Sequence, residues 1–104
     1  MDSLADFDLL VIGGGSAGFA AAIAACELDK RAGIVNAGPI GGTCTNFGCI
    51  PSKALIRSAE VWHQAQSHPF AGVTTKGVNL DWHQIREQKN TLIRNLRQSR
   101  YVEW

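Results

Sequence analysis

The sequence has no long apolar run and no strong excess of charge of either sign. No stretch approaches the roughly 18 to 20 consecutive apolar residues of a transmembrane helix. The segment 1–8 carries aspartates but no basic residue, and it lacks the apolar core of a signal peptide. A net charge of +1 leaves no broad basic surface for nucleic acid. These absences predict a cytoplasmic protein whose partners include neither a membrane nor a nucleic acid.

Cysteine is also scarce. The chain has three cysteines, Cys26, Cys44 and Cys49, and this small odd number is not typical of a secreted disulfide scaffold. Cys26 recurs with Phe19 and Ile23 at helical spacing, which predicts that it is a small core residue. The length of 104 residues, with 45% hydrophobic and 18% charged residues, suits one small globular domain.

The first third of the chain has the pattern of a parallel β-α-β unit. Apolar runs at 7–12 and 31–36 predict buried strands, and the Ala-rich stretch 16–28 between them predicts a helix. We assign the unit to residues 6–37. It predicts an α/β fold that opens like a Rossmann-like, doubly wound domain and is followed by helices.

The rest of the chain is predicted to be largely helical. We expect a cysteine-bearing helix at 42–66, a loop at 70–79 with at most one short strand, and a last helix at 81–102 that Asp81 caps. The apolar stripe of the last helix comprises Ile85, Leu92, Ile93 and Leu96. We interpret the tryptophans as packing residues and the histidines as surface or loop residues: Trp62, Trp82, Trp104, His63, His68 and His83.

Two strands do not make a stable sheet, and the last helix has no evident partner in this inventory of elements. An open sheet edge recruits other chains. We therefore expect a truncated, partial domain that forms homo-oligomers through the last helix, the sheet edge or both.

A glycine-rich motif follows the first predicted strand. In the pattern G-x-G-x-x-G, Gly13 permits the tight turn, Gly15 lets the backbone approach a pyrophosphate, and Gly18 lets the helix pack close to the strand. The helix N-terminus adds free N–H groups and a partial positive charge. The motif predicts a dinucleotide site, with a purely structural glycine turn as the alternative. It reads Gly13-Gly14-Gly15-Ser16-Ala17-Gly18.

Asn36 ends the second predicted strand, where an acidic residue that binds ribose is expected. A carboxylate accepts hydrogen bonds from both ribose hydroxyls, whereas an amide accepts only through its oxygen. We therefore expect ribose binding to lose one charge-assisted contact at Asn36.

Cys44 and Cys49 are separated by four residues in a segment that contains several glycines. Residues five apart in a regular helix have Cα atoms roughly 8–9 Å apart, whereas a disulfide tolerates at most about 7 Å. A bond would need a bent segment, which Gly48 and Pro51 permit. A helix start and Lys53 would stabilise the thiolates. The pattern favours a redox-active dithiol, with a metal site or two inert cysteines as alternatives. The segment reads Gly41-Gly42-Thr43-Cys44-Thr45-Asn46-Phe47-Gly48-Cys49-Ile50-Pro51-Ser52-Lys53.

With both motifs, the chain resembles the flavoprotein disulfide reductases, the pyridine nucleotide–disulfide oxidoreductase family that includes glutathione reductase, dihydrolipoamide dehydrogenase and mercuric reductase. The resemblance covers nearly the whole chain, and the segments 68–72 and 88–102 are most similar to the mercuric reductase branch. It implies that residues 1–104 form a single partial FAD-binding domain, the N-terminal segment of such an enzyme.

The resemblance also implies a role for each matching residue. Cys49 matches the cysteine beside the flavin, Cys44 the interchange thiol that meets the substrate, and Lys53 the lysine near flavin N5, so these three are the expected catalytic residues. The family has an acidic residue at the position of Asn36. The expected FAD-binding residues are Gly13, Gly15, Ser16, Ala17, Gly18, Asn36, Gly42, Thr43, Cys44 and Lys53.

The implied reaction carries electrons from NADPH through FAD to the Cys44–Cys49 disulfide, and then to a small-molecule or metal-ion acceptor. No resident metal is expected, and Hg(II) is implied as a substrate that the two cysteines would bind. In the family, the NAD(P) and interface domains follow. We therefore expect NADPH only in a full-length enzyme and no turnover from this chain alone. The alternative is a flavin-binding or vestigial self-associating fragment.

Overall fold

A computed structural model describes residues 6–103 and shows a mixed arrangement of two strands and four α-helices. A π-helical segment follows the last α-helix directly. The elements in order are β1 (Leu9–Ile12), α1 (Ser16–Glu27), β2 (Ala32–Val35), α2 (Gly42–Asn46), α3 (Cys49–Gln66), α4 (Trp82–Arg97) and the π-helical segment (Gln98–Val102).

The two strands pair in parallel, with Leu9 opposite Ala32 and Ile12 opposite Val35. α1 packs against both strands, as in a Rossmann-like β-α-β unit. The pairing extends past the strand ends, because the Gly13 N–H donates to the Val35 carbonyl oxygen at 2.8 Å. This extension holds the glycine loop at the carboxyl edge of the sheet, where ligands of α/β folds bind.

The cysteine-bearing segment is not the single helix at 42–66 that the sequence predicts. It breaks at Phe47 and Gly48 into the short α2 and the longer α3. The Phe47 N–H donates to the Thr43 carbonyl oxygen at 2.8 Å, which closes α2. A Cβ at Gly48 would lie 3.2 Å from that same oxygen, so a residue without a side chain suits the break.

α4 begins after Asp81, whose carboxylate accepts from the Gln84 N–H at 3.1 Å as an N-cap. The expectation that its apolar stripe lacks a partner is wrong, because α4 packs on α3 and α2. Ile93, at 7% exposed, forms the buried hydrophobic core of the described residues. Ile85 and Leu96 are half-buried, and only Leu92 of the predicted stripe is exposed.

Much of the expected core is open. Cys26 is exposed, contrary to its prediction as a core residue, because nothing among residues 6–103 covers that side of α1. Trp62 and Trp82 are 38% and 55% exposed, so they do not pack as predicted, and Trp104 lies outside the described residues. The radius of gyration is 20.4 Å, whereas a compact domain of this size has about 13 Å.

The loop at 70–79 contains no strand. No helix between residues 6 and 103 is long and apolar enough to cross a bilayer.

The uncovered face of the sheet predicts self-association. Val11 faces α1, so Leu10 and Ile12, at 38% and 87% exposed, point to the open side. Leu10→Lys should raise the dissociation constant of the association by about tenfold, because a buried leucine contributes roughly 1.5–3 kcal/mol. Leu28→Lys, at an exposed site beyond α1, is the matched control. Sedimentation equilibrium at micromolar concentration measures both, and a chain that stays monomeric would contradict the prediction.

Candidate dinucleotide and dithiol site

The glycine loop turns directly from β1 into α1. Gly13 has a φ of +113°, a conformation that side chains disfavour. A Cβ at Gly18 would overlap the Gly13 carbonyl oxygen, so the close turn requires a glycine at both positions. α1 begins at Ser16 without a side-chain cap. The first-turn N–H groups of Ser16 and Ala17, both exposed, therefore face outward as an anion-binding end.

Asn36 lies against this loop. Its Oδ1 accepts from the Gly14 N–H at 3.1 Å, and its Nδ2 donates to the Gly38 carbonyl oxygen at 2.5 Å. The amide thus bridges the glycine loop and the turn after β2. The predicted contact of Asn36 with a ribose stays a prediction. One lone pair of its oxygen already serves the loop, which leaves one for a ligand.

The glycine loop and the cysteine segment touch through their backbones. The Gly41 N–H donates to the Gly14 carbonyl oxygen at 2.8 Å. A Cβ at Gly42 would lie 2.9 Å from the Gly15 Cα, and Gly42 has a φ of +74°. The approach is therefore restricted to glycine at position 42. It brings the two sequence motifs into one site.

The two cysteines face each other across the break between α2 and α3. Cys44 lies within α2 and Cys49 is the first residue of α3, and both are exposed thiols. A side-chain hydrogen bond with Cys49 raises the pKa of Cys44 above its ordinary value, and desolvation and negative charge on Cys49 act in the same direction. The Cys49 backbone N–H and Lys53 lower it, but less. Lys53 thus favours the Cys44 thiolate as expected, but the contact with Cys49 outweighs it and the pKa of Cys44 is raised overall.

Asn46 is a residue of the site that the sequence analysis did not single out. It is 7% exposed, and its Nδ2 donates to the carbonyl oxygens of Ile40 and Gly42 at 3.0 and 2.9 Å. Its Oδ1 accepts from Arg97 on α4. A polar residue close to several glycines is a sequence signal for a side chain that binds the backbone of a turn. The same signal does not identify Arg97 as the partner of Asn46, because the two residues are far apart in sequence.

The π-helical segment reaches the start of α1. Tyr101 and Ser16 are joined by a hydrogen bond of 3.1 Å between their hydroxyl groups. The Tyr101 ring also packs edge-on against Phe19, with 4.9 Å between ring centroids. The end of the described chain therefore lies beside the predicted phosphate-binding turn.

The structure brings most of the predicted site residues together in two adjoining groups. The glycine loop and the start of α1 form one group, with Asn36 beside it. The cysteine segment forms the other. Between residues 6 and 103 there is no cluster of three or more His, Cys, Asp or Glu side chains that could hold a metal ion. The two groups comprise Gly13, Gly15, Ser16, Ala17, Gly18 and Asn36, and Gly42, Thr43, Cys44, Cys49 and Lys53.

This pairing of motifs has close counterparts among known proteins. The family model described as pyridine nucleotide-disulphide oxidoreductase matches residues 7–104. The chain belongs to this family. Mercuric reductase of Staphylococcus aureus is 44% identical over 98 residues, which cover 94% of this chain and 18% of the relative. Dihydrolipoyl dehydrogenase of Bacillus subtilis is 41% identical over 91 residues, which cover 88% of this chain and 19% of the relative.

A solved structure agrees with the family. The Cu(II) complex of the HOCl-induced flavoprotein disulfide reductase RclA from Escherichia coli superimposes with a TM-score of 0.63 at 29% identity. The match covers 94% of this chain and 18% of that chain. The resemblance inferred from the two motifs is thus confirmed at the level of the family. This chain spans less than a fifth of the length of these relatives.

The backbone contact at Gly42 predicts that adding a methyl group there lowers the free energy of unfolding, whereas adding one at an open glycine does not. Gly42→Ala should destabilise the chain by about 1–3 kcal/mol, since the new Cβ meets the Gly15 backbone and the positive φ adds strain. Gly38→Ala is the matched control, because a Cβ there meets nothing within 4 Å. Urea unfolding monitored by circular dichroism measures both variants. Equal midpoints for the two would show that the loops do not touch.

The Cys44 thiol should respond to its neighbours in opposite directions. Cys49→Ala removes the hydrogen bond and charge that raise the pKa of Cys44, so that pKa should fall. Lys53→Met removes a nearby positive charge, so the pKa should rise further. The rate of Cys44 alkylation by iodoacetamide against pH, read by peptide mass spectrometry, reports the titration. A curve that does not move in Cys49→Ala would exclude the contact between the two thiols.

Proposed function

We propose that this chain supplies the FAD-binding turn and the redox dithiol of a flavin-dependent oxidoreductase that uses NADPH to reduce a disulfide or mercuric ion. The main observation behind this proposal is the contact between the glycine loop and the cysteine segment at Gly15 and Gly42. This contact supports the proposal because it brings the cysteine segment beside the glycine loop, whose turn would suit a pyrophosphate. Membership of the oxidoreductase family supports the same assignment.

The nucleotide-binding part of the proposal rests on the fit of the glycine loop to a pyrophosphate. A Cβ at Gly15 would make only ordinary contact with the Gly42 Cα at 3.5 Å, so packing alone does not require glycine there, whereas close approach of a phosphate does. Ser16, Ala17 and Thr43 are exposed around this turn and would hold the nucleotide by backbone and hydroxyl donors. FAD, when bound, supplies two-electron transfer between a nicotinamide and the dithiol.

The cysteine pair would carry out thiol–disulfide exchange. The Cys44 thiolate attacks a substrate disulfide, forming a mixed disulfide and releasing the first substrate thiolate. The Cys49 thiolate then attacks the Cys44 sulfur, which forms the Cys44–Cys49 disulfide and releases the second substrate thiolate. Each step breaks one S–S bond and forms one. The substrate gains two electrons, and the protons of the two protein thiols go to the products. The exposure of both thiols and the contact between Cys44 and Cys49 support exchange at this pair, and the order of attack follows the family resemblance.

Mercuric ion is the second proposed acceptor. Two adjacent thiolates are soft ligands that suit Hg(II), and the relatives of this chain include mercuric reductases of Bacillus cereus and Staphylococcus aureus at 41% and 44% identity. The proposal places Hg(II) at Cys44 and Cys49 as substrate, in an enzyme that works as a cytoplasmic homodimer.

A flavin-binding module without turnover is the second candidate function. The open faces of the sheet and of α1 favour it, because the described residues cover little of their own apolar surface. Thiol–disulfide exchange by the reduced, purified chain separates the candidates: release of thiols from a disulfide substrate with formation of the Cys44–Cys49 disulfide supports the oxidoreductase role, and flavin binding without thiol release supports the module.

The nucleotide site is tested by titrating the chain with FAD and following the quenching of flavin fluorescence. Gly15→Ala should keep the stability of the chain, since its Cβ meets only ordinary contacts. It should weaken FAD binding by about tenfold or more, because phosphate oxygens can no longer reach the backbone N–H groups. Gly38→Ala is the control with an unchanged affinity. Equal affinities for Gly15→Ala and the unaltered chain would place the nucleotide elsewhere.

A further inference from the structure

Arg97, at the end of α4, reaches the cysteine segment from a distant part of the chain. Its Nε and Nη2 atoms both donate to Asn46 Oδ1, at 3.1 and 2.6 Å. Asn46 is 7% exposed and Arg97 is half-buried. Because one charged guanidinium supplies both donors away from bulk water, this contact is stronger than an exposed hydrogen bond.

The other end of the Asn46 amide holds the backbone that leads into α2. Its Nδ2 donates to the carbonyl oxygens of Ile40 and Gly42 at 3.0 and 2.9 Å, with the Pro39 oxygen farther away at 3.4 Å. An amide offers two acceptor lone pairs and two donors, and all are in use here. Asn46 therefore connects Arg97 to the turn before the cysteines.

Apart from the Asn46 amide, α2 is held at its start by the approach of Gly42 to the Gly15 backbone and by the burial of Thr45. It comprises only the residues Gly42–Asn46 and has no side-chain cap at its start, and so short a helix is not stable alone. Cys44 lies at its centre. Ile93, one turn before Arg97 on the same face of α4, is buried, so α4 presents an apolar contact and a charged donor together to α2.

We propose that Arg97 is a positioning residue for the Cys44–Cys49 pair: through Asn46 it fixes α2 and so keeps Cys44 directed at Cys49. This inference rests on the dithiol role in the proposed function. It requires no flavin, so its test is independent of nucleotide binding.

The test measures how well the two thiols are aligned. The reduced chain is equilibrated with glutathione disulfide: the Cys44 and Cys49 thiols and one glutathione disulfide give one intrachain disulfide and two glutathione thiols. One S–S bond breaks, one forms, and both thiol hydrogens pass to glutathione. The equilibrium constant is the effective concentration of one thiol at the other. Mass spectrometry of alkylated peptides reads it, with Cys26 as the internal reference thiol.

Arg97→Ala should lower this effective concentration by about tenfold, because a charge-assisted contact that aligns α2 is lost. Arg97→Lys should restore part of it, since lysine keeps the charge but donates from a single atom. Arg94→Ala is the matched control: Arg94 lies one turn away and donates to Thr91 on the surface of α4. The effective concentration in Arg94→Ala should stay within about twofold of that in the unaltered chain.

A double-mutant cycle separates positioning from general stability. If Arg97 acts through Asn46, adding Arg97→Ala to Asn46→Ala changes the effective concentration no further, whereas independent effects add. An effective concentration in Arg97→Ala within about twofold of that in Arg94→Ala, or additive effects in the cycle, would overturn the proposal. If Arg97→Ala does not fold, the effective concentrations of Arg97→Lys and Arg97→Gln, which keep donor groups, are compared with that of Arg94→Ala by the same twofold criterion. A chain that shows the Arg97 effect but binds no FAD would refute the proposed nucleotide site and leave this inference standing.

Discussion

The backbones of Gly15 and Gly42 touch, and the arrangement of the whole site depends on this contact. A side chain at position 42 would collide with the Gly15 Cα, and the Gly41 N–H is already bound to the Gly14 carbonyl oxygen. The glycine loop and the cysteine turn are therefore joined by direct backbone contact rather than being two separate neighbouring loops. The proposed electron exchange between the cysteine pair and a bound nucleotide depends on such a fixed relation, because small displacements reduce reactivity strongly.

The cysteine turn contacts the glycine loop on one side and α4 on the other. On the α4 side, Ile93 is buried and Arg97 donates hydrogen bonds to the Asn46 amide oxygen. The π-helical segment adds Tyr101 beside Ser16 at the start of α1. The described chain is elongated and has a very small core, yet several of its long-range side-chain hydrogen bonds lie around the two turns. The apolar faces of the sheet and of α1 stay open at the same time.

The parts of the site that depend on neighbouring residues in the sequence could be predicted. The glycine spacing predicted the turn from β1 into α1, and the presence of Gly48 and Pro51 signalled that the cysteine segment could bend. The predicted single helix at 42–66 was wrong because helical propensity does not report where a backbone must break. Cys26 was placed in the core because periodicity identifies an apolar face but not whether another element covers it. The bond between Asn46 and Arg97 joins residues 51 positions apart, and no local pattern encodes such a partner.

The protonation of the cysteine pair gives this geometry a chemical consequence. Because the hydrogen bond with Cys49 raises the pKa of Cys44, the reduced pair keeps the Cys44 proton to higher pH than an isolated thiol would. The thiolate is the reactive form, so the proposed attack by Cys44 on a substrate at neutral pH requires that the Cys44 proton be removed as the reaction proceeds. The contact with Cys49 that raises the pKa of Cys44 thus restrains the reactivity of Cys44 toward other molecules. A change that moves Cys44 away from Cys49 would remove that hydrogen bond and lower the pKa of Cys44.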